Sequence, residues 1–483
     1  MADPKGNNDD NWKSAVDMLT GYMLPERSKL FENLKGNDGI PLIHVRLHKV
    51  STGYVPGHVS QGGWRRRKTD YVFPFLGPDR DPTNQSKGRP IASYYAYITF
   101  LAGGQAAPPS GNDVIPNFKK TSDKLKDKGG WNKEGDKLDW DTGDLTRYVY
   151  GSKAALDKLT MWPHSTHGFS DRSSSVADDS YVDLGSFTDA ARAFDRAVSF
   201  FSGSAVTVGK WDDENIGEGS DAWDGTPAAV FKGLIRKLAR NYEGYADQLK
   251  GEGEARSAVL LDGTAVASKP AIALAELQQT ILTQAQHLVD AWNSWRADSN
   301  PQRWLYDMLQ EARFNSFDTQ FDKVELDTYQ VGGQLTLFNS ALAGFDNNLI
   351  VGGVSYGQAH LMESWKKLAE EAVRRWDKSA QNWLSVAGAN AIVALTKAFA
   401  EAEKAFEPKL TDKDKRPISE IMSKETRDKE KKDLDKEKAA AKAEAAKEKA
   451  EAKAEQEAAK REAEQEKNEA KAEADKEKAE AKA

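Results

Sequence analysis

Gly353-Val354-Ser355-Tyr356-Gly357 is the stretch whose residue types come nearest to catalysis. It fits the G-x-S-x-G nucleophile elbow, a strand-to-helix turn that exposes a serine hydroxyl, and it lies between the apolar run Leu349 to Val351 and a helix. A serine becomes nucleophilic only with a base in hydrogen-bond reach, and in that fold the histidine follows the serine with an acid between them. His360 alone follows, at the start of the helix that the serine itself would enter. The chain also lacks the alternating strands and helices that a hydrolase sheet requires. A serine hydrolase acting through Ser355 is therefore kept as the alternative function, and no catalytic residue is assigned.

Three further groupings carry weaker chemistry. His164 and His167 would place two nitrogens on one metal if they stood on a helix, but they lie in a Pro-, Ser- and Gly-rich loop with only Asp171 nearby. They read as an incidental loop pair, and no metal is expected. Arg65, Arg66, Arg67 and Lys68 form the densest basic cluster, which reads as a solvated strand edge kept from pairing by its charge. No phosphate-cradling glycine loop of the P-loop or dinucleotide type is present, so no cofactor is expected.

The elements that must position anything in this chain are mainly helical. Phe187, Ala190, Ala191, Phe194, Val198 and Phe201 recur at helical spacing, with Ser186 as the cap. Beyond a polar, acidic loop, Phe231, Leu234, Ile235, Leu238, Tyr242, Tyr245 and Leu249 repeat that spacing, entered by Thr226 as N-cap and Pro227 as the first helical residue. Two apolar stripes facing one turn predict a helical hairpin, with Phe187, Phe194 and Phe201 set against Phe231, Leu238 and Tyr242. In the turn, Trp223 can close the open end and Gly225 can take positive φ.

A Trp-x-Gly turn between two helices resembles the WxG hairpin proteins of type VII (ESX) secretion systems. The words Asp221-Ala222-Trp223-Asp224-Gly225 look more specifically like the AAWKG family of actinobacterial proteins, with Ala222, Trp223 and Gly225 matching its five-residue signature. Asp221 and Asp224 depart from it, the latter placing an acid where the family has a basic residue. The resemblance covers about sixty residues. It implies a non-enzymatic partner protein that pairs through apolar helical faces. Exported members of that class usually carry a tyrosine with an acid four residues later, beyond the second helix. In this sequence only Tyr22 with Glu26 has the spacing, so the signal is missing from its expected place.

Composition narrows the classes further. The 483 residues hold 68 basic and 75 acidic side chains, a formal net charge of −7, which offers no general attraction to nucleic acid or anionic membrane. With no cysteine, disulfides, thiolate catalysis and cysteine-ligated zinc are all removed. Neither an apolar leader nor a membrane span is read from the sequence, so a cytoplasmic protein is expected, with export by a leaderless route as the alternative.

The remaining segments follow in order. Residues 1–39 read as amphipathic helices around Trp12, Val16 and Leu19. Residues 40–150 read as a small β-rich region with a long loop, built on Ile43 to Leu47, Tyr71 to Phe75, Tyr94 to Leu101 and a fourth strand from Leu145 to Tyr150. Residues 151–185 read as a linker containing a short helix. The WxG-type helical bundle spans 186–407, with seams through Leu277, Ile281, Leu288 and Trp292 and through Trp365, Leu368, Trp376 and Trp383. Trp292, Trp295, Trp304, Trp365, Trp376 and Trp383 are expected to pack between helices. Residues 408–483 form a Lys/Glu/Ala-rich tail without a Leu, Ile or Val seam past Leu434, predicted as a lone solvated helix rather than a strong coiled coil. The fold expected is thus mainly α: a helical hairpin and bundle, a small N-terminal β-containing region and a long charged C-terminal helix. The function expected is an interaction or scaffold protein associated with a type VII-like apparatus, as a homo- or hetero-oligomer, with a cytoplasmic structural protein bearing a helical strut as a further alternative.

Overall fold

The computed structural model describes residues 10–49, 63–64, 70–78, 90–101, 142–171, 174–214, 226–250, 256–321, 323–328, 336–340, 345–406 and 410–411, with scattered positions between 435 and 467. Helix dominates, accompanied by small antiparallel sheets. The chain divides into two compact units: unit 1 comprises Met1–Asp195 with Glu254–Phe406, and unit 2 comprises Arg196–Gly253 with Glu407–Ala483.

Unit 1 opens with α1 (Asn11–Thr20), whose first turn is capped by the Asp10 carboxylate accepting from Lys13 N and which ends at Gly21 in the left-handed conformation. A side chain at Gly21 would run into the carbonyl of Ser180, so glycine is required there both by φ and by space. Strand β1 (Ile43–Lys49) pairs antiparallel with β4 (Pro90–Phe100), setting Val45 opposite Ile98. On the other edge of β4 lies β3 (Asp70–Pro78), with Phe73 opposite Ala96, and β2 (Gly63–Trp64) pairs β3 in turn. Two later strands, β9 (Val324–Thr328) and β10 (Thr336–Ser340), extend the sheet through a short pairing of Phe338 with Ile91. Tyr71, Phe73 and Phe75 lie on one buried face, and Pro74 and Leu76 between and beyond them are buried as well, so this strand is covered on both faces.

Leu145 to Tyr150, expected as a strand, is helical. It runs through α2 (Gly143–Thr146), a π-turn at Arg147–Gly151 and α3 (Ser152–Thr160). Leu145, Tyr148 and Val149 are all buried, and their spacing of three and four is helical; over six residues it is easily mistaken for alternation. The segment read as a linker holds two-residue strands β5 (Ser170–Asp171) and β6 (Ser174–Ser175). Helix α4 (Leu184–Glu214) starts ahead of the expected cap Ser186, because the Asp183 carboxylate accepts from Gly185 N and the Ser186 hydroxyl turns back to Asp183 O.

After the short pair β7 (Ala258–Val259) and β8 (Ala265–Val266), four helical stretches complete unit 1. They are α6 (Lys269–Trp295), α7 (Pro301–Arg313), α9 (Met362–Ala380) and α10 (Val386–Glu403), the last two joined by a π-turn at Gln381–Ser385. A single turn, α8 (Thr319–Phe321), precedes the later sheet strands. Pro301 enters α7 behind Asn300, whose side chain accepts from Gln302 N. Although the sequence reading separates 1–39, 40–150 and 186–407, described residues of all three share one core, in which Trp12, Phe73, Trp295, Trp365 and Trp376 are buried. Trp365 meets Phe73 edge-on at 5.0 Å, and Trp376 meets Phe31 at 5.1 Å and Trp295 at 5.6 Å. Trp383 is a correction: expected between helices, it is 48% exposed.

Unit 2 contains the remainder of α4, helix α5 (Thr226–Lys250) and the tail. Every described residue from Asp435 to Lys467 is helical and exposed. The start of the tail is held to α5 by Thr411, whose N–H donates to Gln248 Oε1 at 3.0 Å and whose carbonyl accepts from Gln248 Nε2.

Candidate functional site

In unit 2, α4 and α5 meet along an aromatic seam. Phe201 stacks on Tyr242 at 6.0 Å and meets Tyr245 edge-on at 5.5 Å, while Val208 and Ile235 are buried together closer to the turn. Contacts that advance along one helix as they retreat along the other are those of an antiparallel hairpin. The seam is narrow, and much apolar surface stays outside it. Val206 is 61% exposed, Leu234 59% and Trp211 51%, with Phe231 and Leu238 less so, while Phe200, 61% exposed, touches the edge of the seam at 6.3 Å from Tyr242.

The six residues expected to form the hairpin interface are therefore divided. Phe201 and Tyr242 meet. Phe231 and Leu238 lie on the exposed side of α5. Phe187 and Phe194 belong to unit 1: Phe187 packs on the main core, and Phe194 packs beside Leu260 and Ala271 and meets Phe406 at 5.7 Å. The reason is length, since α4 has 31 residues against 25 in α5 and part of it falls to unit 1. Trp223 and Gly225, the motif residues of the turn, lie outside the described residues, as do Arg65 to Lys68.

The serine motif is placed, but not as an elbow. Strands β11 (Asn348–Val351) and β12 (Val354–Gln358) form a hairpin in which Val351 pairs with Val354 and Ile350 with Ser355. Gly352 and Gly353, at φ 59° and 74°, make the two-residue turn, a conformation that demands positive φ at both positions. Ser355 is consequently an exposed strand residue, and no strand-to-helix turn presents it. His360 Nδ1 lies 3.3 Å from Asn347 Nδ2. Beside Ser355 is an open groove of about 340 Å³ lined by Val354, Tyr356, Lys367, Glu370, Glu371 and Arg374. Hydrogen bonds from Arg374 and Arg375 hold the Glu371 carboxyl below its ordinary value, and burial raises the Tyr356 hydroxyl. These charges satisfy one another within the groove wall.

The histidine pair is dispersed as well. His164 Nδ1 lies 3.0 Å from Leu159 O, whereas His167 packs edge-on against Tyr181 at 4.7 Å. Among the described residues no group of three or more His, Asp or Glu side chains is arranged to hold a metal. Tyr22, whose spacing to Glu26 matches an export signal, is buried past the end of α1 against Phe169.

One polar cluster was not foreseen. Arg27, 6% exposed, donates from Nε to Asp377 at 2.8 Å and from Nη1 to the Ser385 hydroxyl at 2.6 Å, with Asp10 3.6 Å away. The Tyr148 hydroxyl donates to Asp10 at 2.8 Å. Burial raises the Asp10 carboxyl despite the opposing Arg27 charge, and burial also pushes the Tyr148 hydroxyl well above its usual range. The cluster ties the start of α1 to the π-turn at Arg147–Gly151, to α9 and to the π-turn before α10. Nothing in the local sequence signals it, because it joins three segments, around Asp10 to Arg27, Tyr148 and Asp377 to Ser385, that are more than a hundred residues apart. No protein-family model, curated protein or solved structure matches this chain.

Proposed function

We propose that the chain is a non-enzymatic interaction protein, WxG-like in its hairpin, which acts as a scaffold for a protein partner of a type VII-like secretion apparatus. The observation that carries this reading is the imbalance of unit 2: its two helices close on one aromatic seam and leave Trp211, Leu234 and Leu238 exposed. A helical hairpin with a second apolar side is suited to accept a further helix by laying those side chains into its groove. The Ala222-Trp223-x-Gly225 turn gives the type VII assignment its direction.

The test uses the full chain in its native host. Tagged wild type should copurify a defined component of the secretion apparatus, and the pair Leu234→Asp with Leu238→Asp should lose it while melting as wild type. Retention of that component by the variant, or a wild type that enriches no such component, would refute the proposal. Fractionation into cytosol and medium then tells export from a role inside the cell.

A further inference from the structure

Where β1 pairs with β4, the sheet of unit 1 has a second face. Val45 opposite Ile98 faces the core, so the antiparallel register sets His44 opposite Thr99, Arg46 opposite Tyr97 and His48 opposite Tyr95 on the other side. Toward β3 this side is covered, as buried Pro74 and Leu76 show, and His44 and Thr99 at its one end are buried too. At the other end it opens: Arg46, Tyr95 and Tyr97 are half-buried, while His48 and the following Lys49 are exposed. The rings form a ladder, with the Tyr95 and Tyr97 centroids 6.0 Å apart and His48 at 6.4 Å from Tyr97. None of the three cross-strand pairs contains an acid, although acids outnumber bases in the chain.

The net charge of −7 conceals a basic region here. Between residues 40 and 102 the sequence has nine Lys and Arg against three Asp and no Glu. The outer edge of β1, by contrast, is closed at its middle. The Asn37 side chain accepts from Val45 N and donates to Val45 O, both at 2.9 Å, and so occupies the backbone groups that an added strand would need. An extended peptide pairing with β1 is thereby disfavoured, and the face rather than the edge is the contact surface.

We propose that this face binds single-stranded nucleic acid. The two strands divide the chemistry: β4 supplies neighbouring aromatic rings on which successive bases stack, and β1 supplies cations beside them for the phosphates. Arg46, directly across from Tyr97, serves the nucleotide that stacks on that ring. In a duplex the bases are already stacked on one another and offer the rings nothing. The proposal concerns unit 1 alone and does not depend on the partner of the hairpin.

Fluorescence anisotropy of a fluorescein-labelled oligothymidylate of about 12 nucleotides, titrated with the full chain at low salt, should show saturable binding that weakens as salt rises. Tyr97→Ala should lower the affinity about tenfold, and Tyr97→Phe, which keeps the ring, should stay within about twofold of wild type. Tyr95→Ala should act like Tyr97→Ala, so the result does not hang on the folding of one variant. Arg46→Gln should weaken binding and flatten the slope of log K against log salt by about 0.7, the share of one phosphate contact on a single strand. No binding at low salt, equally tight binding of the corresponding duplex, or an affinity untouched by both tyrosine-to-alanine changes would overturn the proposal. Heparin competition together with that last result would assign the face to polyanions in general.

Discussion

Unit 1 and unit 2 solve the burial of aromatic residues in opposite ways. In unit 1 three buried indoles are satisfied by backbone carbonyls: Trp292 donates to Val149 O, Trp365 to Ala359 O and Trp376 to Ser299 O, all within 2.9 Å. The bonds of Trp292 and Trp376 join segments far apart in the chain, so these indoles both fill the core and fix its register. In unit 2 the aromatic rings lie along a single seam, and others remain outside. Those three rings are covered within their own unit. The second has more apolar surface than its two helices can cover, which is the property expected of a region that meets another molecule.

The largest effect should come from truncating the hub of unit 1. Trp376→Ala removes contacts to Phe31, Tyr148 and Trp295 together with the bond to Ser299, and should cost about 3–5 kcal/mol, read by chemical denaturation. Tryptophan fluorescence and far-UV circular dichroism should report the same transition, since α1 and α10 share that core. Separate transitions would show that unit 1 is less unified than its contacts imply.

Next is the buried ionic cluster. Arg27→Met leaves Asp10 without its cation inside the core and should destabilise by roughly 3 kcal/mol, the scale for breaking a buried pair by removing one partner. The pH dependence has a definite sign. The Asp10 carboxyl is raised in the fold, so its contribution is fully present below its unfolded value of 3.8 and is lost as pH rises through the higher folded value. Glu371 is lowered and behaves oppositely, contributing above its unfolded value of 4.5 and losing that contribution as pH falls through the folded one. Asp10→Asn should therefore remove an acid-side gain: the stability of wild type relative to the variant should rise as pH falls through the window above 3.8. A difference independent of pH would refute the assignment.

Gly388→Val tests the packing of α10 on α1 on a smaller scale. The new side chain meets the Asn11 backbone rather than a flexible side chain, and should cost about 1–3 kcal/mol by overpacking. The same change should leave the unit 2 hairpin intact, as measured by hydrogen exchange along α5.

The long helices and the three main strands were legible because their apolar periods run for many residues: Leu277, Ile281, Leu288 and Trp292 are buried as the spacing requires, and so are Val45, Phe73 and Ile98. What failed had one of two causes. A window as short as Leu145 to Tyr150 supports either period, and only the surrounding core selects the helix. Other features depend on residues remote in sequence. No local pattern unites Asp10 with Arg27, Tyr148 and Asp377, nor reveals that Phe187 and Phe201, on one helical stripe, serve different units. Gly353 to Gly357 matched a catalytic pattern because a glycine-rich β-turn and a nucleophile elbow draw on the same residue types. Trp383 matched the helical spacing of its neighbours, but the π-turn at Gln381–Ser385 shifts the phase and leaves it outside.

The smallest effect is the sharpest test of unit 2, because it turns on two adjacent residues. Ile235 is 9% exposed against Val208, whereas Leu234 is 59% exposed. Ile235→Ala should cost about 2 kcal/mol of hairpin stability, and Leu234→Ala should stay within roughly 0.5 kcal/mol of wild type. Binding should invert the order: Leu234→Ala should weaken partner copurification more than a loss of hairpin stability can explain. If both substitutions destabilised alike, the outward side of α5 would already be covered within the chain, and the contrast between a closed unit and an open one would collapse.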